Sequence, residues 1–110
     1  MAFDQGLAGT LRELLAKERK VTEKKMFGGL AFLVNGNMCV SASGKGGMLV
    51  RIDPAETTAA LAQPHATRMV MGGRSMDGWI RIAPAGVSTK REIEPWLRRS
   101  LAYVKSLPPK

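Results

Sequence analysis

Two runs of mainly apolar residues separated by an Asn-Gly pair form the clearest pattern in this chain. The runs cover residues 27–34 and 37–42, and Asn35 and Gly36 lie between them. A two-residue type I′ turn requires positive φ at both central positions, which Asn and Gly tolerate. The pattern therefore predicts an antiparallel β-hairpin with these two runs as its strands.

Both faces of this hairpin are apolar. Because side chains alternate along a strand, one face is predicted to hold Leu30, Phe32, Val34 and Cys39, and the other Ala31, Leu33, Met38 and Val40. An antiparallel sheet with one face in water alternates more clearly between apolar and polar residues. We therefore expect helices, or a second subunit, to cover both faces.

Helical spacing of apolar residues predicts a helix near each end of the chain. The first begins after a capping Asp4 and ends near Arg19. Its apolar stripe consists of Leu7, Leu11, Leu14 and Leu15. The last begins at Ser88 or Thr89, but Pro95 removes a backbone donor, so its regular part is expected from near Glu94. Its apolar side consists of Ile93, Trp96, Leu97, Leu101 and Val104.

The middle of the chain predicts three further strands and one helix. A third strand over residues 48–52 precedes Asp53-Pro54-Ala55-Glu56, where Asp53 caps a helix, Pro54 takes its first position and Glu56 reaches back to the cap amide. This helix stops by Gln63. Strands at about 68–71 and 79–82 flank a turn over 72–78 and form a second hairpin. The order αβββαββα indicates an α+β domain with a largely antiparallel sheet.

Composition adds a strong positive charge and little else. Seventeen Lys and Arg against nine Asp and Glu give a net charge of +8 in 110 residues, which favours acidic partners such as nucleic acid. The length fits one domain, over residues 1–110. A single cysteine, the absence of a secretory signal pattern and the lack of a long apolar run lead us to expect a cytoplasmic protein without membrane contact.

Several short motifs resemble the N-terminal domain of the TfoX/Sxy family of competence regulators. The residues that carry the resemblance are Met26, Phe27, Gly28, Gly29, Asn35, Gly36, Gly73, Arg74, Met76, Gly78 and Trp79. The two glycine-containing motifs, in this order and separation, are specific together and weak alone. Ser75 stands where the family motif is expected to have proline. The match extends from the first helix to about Leu97.

The resemblance implies a fold and a role. The fold is an α+β domain with a five-stranded sheet packed by helices, akin to secretion chaperones. The role is regulation of transcription, which better-known full-length members exert on DNA-uptake genes together with the cyclic AMP receptor protein. Those members also carry a second, C-terminal domain, which we do not expect within these residues. The family provides no catalytic residues to transfer. One Cys and one His leave a metal site short of its usual four ligands, and no cofactor is expected.

Three classes of function are compatible with the residues. The first is a non-enzymatic regulator or adaptor that contacts a protein partner, for example transcription machinery, and forms a homodimer through an uncovered sheet edge or face. The second is direct nucleic-acid binding through a basic surface. That surface would consist of Arg19, Lys20, Lys24, Lys25, Arg91, Arg98, Arg99 and Lys105. The third is a small enzyme that uses Cys39 and His65.

Methionines are the remaining notable feature. The chain has seven, which suggests adaptable filling of the core. Any exposed methionines near the second hairpin, namely Met69, Met71 and Met76, would suit a partner surface instead.

Overall fold

The computed structural model describes residues 4–26, 28–44, 46–71 and 73–109. The α-helices in these residues are α1 (Gln5–Leu14), α2 (Thr57–Leu61) and α3 (Lys90–Val104). The strands are β1 (Val21–Met26), β2 (Gly29–Val34), β3 (Asn37–Ala42), β4 (Met48–Arg51), β5 (Ala66–Met71) and β6 (Arg74–Ile82). They form one antiparallel sheet in the order β1-β2-β3-β4-β6-β5.

The predicted α+β class is confirmed, but the predicted count of five strands is wrong. The additional strand is β1, an edge strand whose four central residues are all exposed. A strand that buries little has no apolar alternation for sequence reasoning to detect. The first helix is also shorter than predicted, because α1 ends at Leu14 rather than near Arg19. Lys20, with a φ of 56°, turns the chain into β1.

The predicted Asn-Gly turn is confirmed, because φ is 54° at Asn35 and 81° at Gly36. The predicted faces are wrong at one position. Phe32 pairs with Val40 whereas Leu33 pairs with Met38, so Cys39 is an extra residue in β3. Such a bulge interrupts strict alternation. Val40 therefore shares a face with Phe32 instead of lying opposite it.

All three α-helices pack on one face of the sheet. The buried core combines Leu11 of α1, Ala60 of α2 and Leu97 of α3 with strand residues such as Phe32 and Val50. These strand residues belong to one face, since Phe32 pairs with Val40 and Val40 pairs with Val50. The expectation of helices on both faces is therefore met on one side only within the described residues.

The predicted helix starts are largely confirmed. The Asp4 carboxylate accepts hydrogen bonds from the backbone N–H groups of Gly6 and Leu7. The Asp53 carboxylate accepts one from Ala55 N at 2.9 Å, and a 3-10 turn over Pro54–Glu56 leads into α2. Among the described contacts, the Glu56 side chain makes no bond to the cap amide.

The predicted start of the last helix at Thr89 is confirmed, but its regular part begins at Lys90 rather than near Glu94. Thr89 caps α3, and the side chains of Thr89 and Glu92 form a reciprocal capping box. Helix α3 then continues through Pro95 without interruption. The cap and the burial of Ile93 and Trp96 on either side of Pro95 compensate for the missing donor.

The second hairpin is longer than predicted, and its turn is shorter. Strands β5 and β6 cover 66–71 and 74–82. The predicted turn over 72–78 is therefore mostly strand. Arg68 pairs with Ile80 but Met69 pairs with Met76, so β6 bulges around Gly78. Gly78 has a φ of 83°, and its N–H donates a 2.8 Å hydrogen bond to the Thr57 hydroxyl.

Candidate protein-binding surface

The sheet face opposite the helices carries an apolar groove of about 380 Å³. All six strands contribute to its lining, which we call the open-face groove. Its apolar residues are Met26, Leu33, Met38, Leu49, Met69, Met76 and Trp79. Strand alternation explains the set, because each of these residues points away from the helix-covered core.

Methionines give the open-face groove its character. Met26, Met38 and Met76 are partly exposed, and Met69 is buried within it. Their unbranched side chains can adjust to the shape of a contacting surface. The interpretation of the methionines as core filling therefore does not hold for Met76, while the side chain of Met71 lies outside the described part.

Two cationic residues, Lys24 and Arg51, also line the open-face groove. The Arg51 guanidinium carbon lies 5.4 Å from the centre of the Trp79 ring and 5.6 Å from that of the Tyr103 ring. At these distances both rings attract the cation. No described residue forms an ion pair or a hydrogen bond with the Arg51 side chain. Arg51 thus lines the groove with its guanidinium held between Trp79 of the sheet and Tyr103 of α3, and its N–H groups have no protein acceptor among the described residues.

The eight cations of the predicted basic surface do not share one environment. Lys105 Nζ lies 3.0 Å from Glu18 Oε1, which joins the end of α3 to the segment after α1. Arg98 pairs with Glu94 at 3.2 Å. Two of the eight cations are therefore paired with carboxylates.

Of the other six predicted cations, Arg99 is partly buried and the remaining five are exposed. The Arg99 guanidinium carbon lies 5.2 Å from the centre of the Trp96 ring, and its buried Nη1 has no hydrogen-bond partner among the described residues. The remaining five are exposed: Arg19, Lys20, Lys24, Lys25 and Arg91. Of the eight, Lys24 lines the open-face groove.

Cys39 and His65 do not form a pair. Cys39 lies in β3, whereas His65 directly precedes β5, and β4 and β6 separate these strands. The separation is three strand spacings, or about 14 Å. His65 is also exposed, with a φ of 66°, while Cys39 is fully buried.

The Cys39 thiol is held in its neutral form. Burial raises its pKa to about 11, and the hydrogen-bond contact of Sγ with Ser100 Oγ at 3.1 Å opposes that rise only in part. The Ser100 hydroxyl also lies within hydrogen-bond distance of the Cys39 carbonyl oxygen, at 2.9 Å. A protonated, buried thiol is a poor nucleophile.

The described residues show neither a metal-binding cluster nor a membrane-spanning helix. Within the described ranges, no three His, Cys, Asp or Glu side chains come together in a way that could hold a metal ion. None of the described helices is long and apolar enough to cross a membrane.

The motif residues divide between backbone geometry and the open-face groove. A Cβ at Gly29 would collide with the Ala42 carbonyl oxygen, so only glycine allows β2 and β3 to approach there. Gly28 and Gly73 have φ values of 78° and 79°. Met76 and Trp79 line the groove, Arg74 is exposed, and Phe27 lies outside the described residues.

The sequence identifies only part of this groove, since Met69 and Met76 belong to the suggested methionine partner surface. It assigns no functional role to Leu49 or Arg51. A signal was present, since the first hairpin is apolar on both faces and only one face can be filled by three short helices. The sequence could not show that Arg51 lies beside Trp79 and Tyr103, because these contacts depend on the pairing of β4 with β6 and on the packing of α3.

The described residues form a small α+β domain. Helices cover one face of its sheet, and the other face is apolar and carries no helix within these residues. The chain belongs to the TfoX N-terminal domain family, because the model of that family matches residues 13–104, which is most of its length. The resemblance suggested by the glycine motifs is thereby confirmed. Comparisons with curated proteins and with solved structures give no significant match.

Proposed function

We propose that this protein is a cytoplasmic, non-enzymatic adaptor that acts in transcriptional regulation by contacting a protein partner. Membership in the TfoX N-terminal domain family supports a competence-regulator-like domain. The observation that carries the proposal is the open-face groove. It supports contact with a macromolecule, because an apolar sheet face normally packs against another layer of structure.

The proposal that the protein is not an enzyme rests on Cys39 and His65, the two residues considered as a catalytic pair. Burial keeps Cys39 protonated, and His65 lies beyond the reach of its thiol. Adaptor function needs neither residue. A Cys39→Ser variant that folds is therefore expected to retain the regulatory effect of the native chain.

Deletion of the gene in the native cell, followed by measurement of all transcripts and of DNA uptake, tests the regulatory role. We expect transcripts of DNA-uptake genes to change and the full chain to restore them. The Cys39→Ser variant serves as the control for catalysis and is expected to restore them as well. Unchanged transcripts after deletion would contradict the proposal.

Affinity capture from the same cells, with mass spectrometry of the recovered material, tests for the partner. We expect a recurrent component of the transcription machinery. Recovery of DNA fragments without any such protein would instead support the second candidate.

Direct nucleic-acid binding is that second candidate, favoured by the net charge of +8 and the exposed cations outside the groove. Binding through phosphates would weaken steeply with salt and show little base specificity. A mobility-shift titration with duplex DNA at low salt tests it. Replacement of Arg19, Lys20 and Arg91 by glutamine should then weaken binding, whereas no shift at low salt would exclude this candidate.

A further inference from the structure

We propose that the open-face groove binds an acidic amphipathic helix of a partner protein. Apolar side chains of the helix would pack on the methionines, and a carboxylate would bind Arg51. This inference deepens the proposed function and rests on it, in that the occupant is a protein. Its binding site and its chemistry, however, can be tested without knowing the partner's identity.

The extent of the groove over the sheet can accommodate a helix. The other face of the same sheet is covered by α1, α2 and α3, and an apolar sheet face is stable when another layer of structure buries it. The groove is lined by all six strands and so crosses the sheet. Five strand spacings correspond to about 24 Å, which is the length of about 16 helical residues. Helix-in-groove binding uses apolar anchors at this kind of spacing.

The charge of the groove favours an acidic occupant. Lys24 and Arg51 line it, whereas no Asp or Glu appears among its described lining residues. The rings of Trp79 and Tyr103 hold the Arg51 guanidinium in place, so little side-chain freedom remains to be lost on binding. A guanidinium can bind a carboxylate through two parallel hydrogen bonds.

The same charges disfavour a second copy of this chain as the occupant. In a two-fold dimer, the same patch of each copy meets its equivalent. Lys24 and Arg51 of one copy would then face Lys24 and Arg51 of the other without carboxylates from the groove. Two molecules that each carry a net charge of +8 also repel each other.

Binding of synthetic peptides tests the inference. The probe is a fluorescein-labelled peptide of about 16 residues with leucines along one helical face and glutamates on its flanks. The comparison peptide has every glutamate replaced by lysine. We expect fluorescence anisotropy at physiological salt to show at least tenfold tighter binding of the acidic peptide.

Matched variants separate the groove from general charge attraction. Met38→Glu places a charge in the groove, and Val70→Glu makes the same charge change at an exposed residue outside it. Arg51→Gln and Arg98→Gln form a second pair of this kind. We expect Met38→Glu to weaken binding at least tenfold and Arg51→Gln at least fivefold, with both controls within twofold of the native chain.

Reversing the charge at Arg51 is the most specific test. Arg51→Glu is expected to bind the lysine peptide more tightly than the native chain does. Circular dichroism and thermal unfolding confirm that each variant is folded, and Met76→Glu replaces Met38→Glu if the latter is not.

Three results would overturn the inference. The first is no binding of the acidic peptide at millimolar concentration. The second is equal weakening by the groove variants and their controls. The third is a native dimer, measured by light scattering, that Met38→Glu dissociates, because the occupant would then be a second copy.

Restoration of transcripts in the deletion strain distinguishes this inference from the proposed function. If the native chain restores them and the folded groove variants do so equally well, the regulatory role stands and the groove assignment fails. If the native chain has no effect on transcripts, the regulatory role fails, and the peptide titration alone decides whether the groove binds an acidic helix.

Discussion

Neighbouring residues of β2 show how differently the two faces of the sheet are used. Phe32 points to the helix-covered face and has no exposed surface, whereas Leu33 points to the open face and remains partly exposed. On the first face, packing against helices fixes each side chain. On the second, the side chains of flexible methionines and a positioned arginine define a surface. One face accounts for stability, and the other is available for contact.

The largest expected difference between the faces concerns packing. Phe32→Ala should lower the free energy of unfolding by about 3–5 kcal/mol, because it leaves a cavity in a sealed core. Leu33→Ala should cost about 1 kcal/mol, because its side chain already contacts water. Urea denaturation measures both. Equal losses would mean that the open face is also covered in solution, for example by a second copy.

The second prediction concerns the closed environment of Cys39. Its raised pKa means that the folded state holds the thiol proton to about pH 11, whereas the unfolded chain releases it near pH 9. Stability from this group is therefore complete below pH 9 and lost as the pH rises to about 11. The loss is about 2 kcal/mol.

Denaturation of the native chain and of Cys39→Ser across pH 8–11 measures this effect as a difference between the two proteins. Lysine and tyrosine titrations are common to both and cancel. Rapid labelling of native Cys39 by a thiol reagent near neutral pH would contradict the buried, neutral thiol.

A smaller effect is expected at Asn37, a buried polar residue at the start of β3. The buried Asn37 side chain donates a 3.0 Å hydrogen bond from Nδ2 to the Pro108 carbonyl oxygen. Asn37→Ala should lower the free energy of unfolding by about 1 kcal/mol and loosen the segment after α3. Hydrogen exchange measures this loosening at Lys105–Leu107, whose amides bond back to α3. Unchanged protection there would show that the bond does not hold the segment.

The smallest effect is expected at the ion pair that connects α1 to β1. Arg12 donates to Glu23 from Nε at 2.6 Å and from Nη2 at 2.8 Å. The hydrogen bond from Arg12 lowers the pKa of Glu23, so the pair stabilises the fold above the ordinary glutamate pKa and stops doing so as the pH falls through the lowered value. Both side chains are exposed, so salt should screen the contact.

Arg12→Gln therefore tests whether the edge strand depends on this contact. Its destabilisation should be small at neutral pH, and it should disappear in 1 M salt and at acid pH. A loss that persists under both conditions would assign the effect to packing of the arginine stem instead of its charge.

Local sequence signals were sufficient for part of this fold. The Asn35-Gly36 turn, the Asp4 and Asp53 caps and the apolar stripe of α3 were all predictable, because each depends on residues close in sequence. Features that depend on partners distant in sequence were not. The bulge at Cys39 and the polar strand β1 exist only through pairing with β2, and the open-face groove exists only after six strands have been ordered.

Strand β1 also limits how copies of this protein can join. Glu23, Lys24 and Lys25 follow one another along this border of the sheet, and all are exposed. Charged side chains on a border strand make it unfavourable for a further strand to add there and extend the sheet into a fibre. Backbone hydrogen bonds between other chains and this edge strand are therefore unfavourable. Its charges thus protect a sheet with two apolar faces from aggregation through this edge.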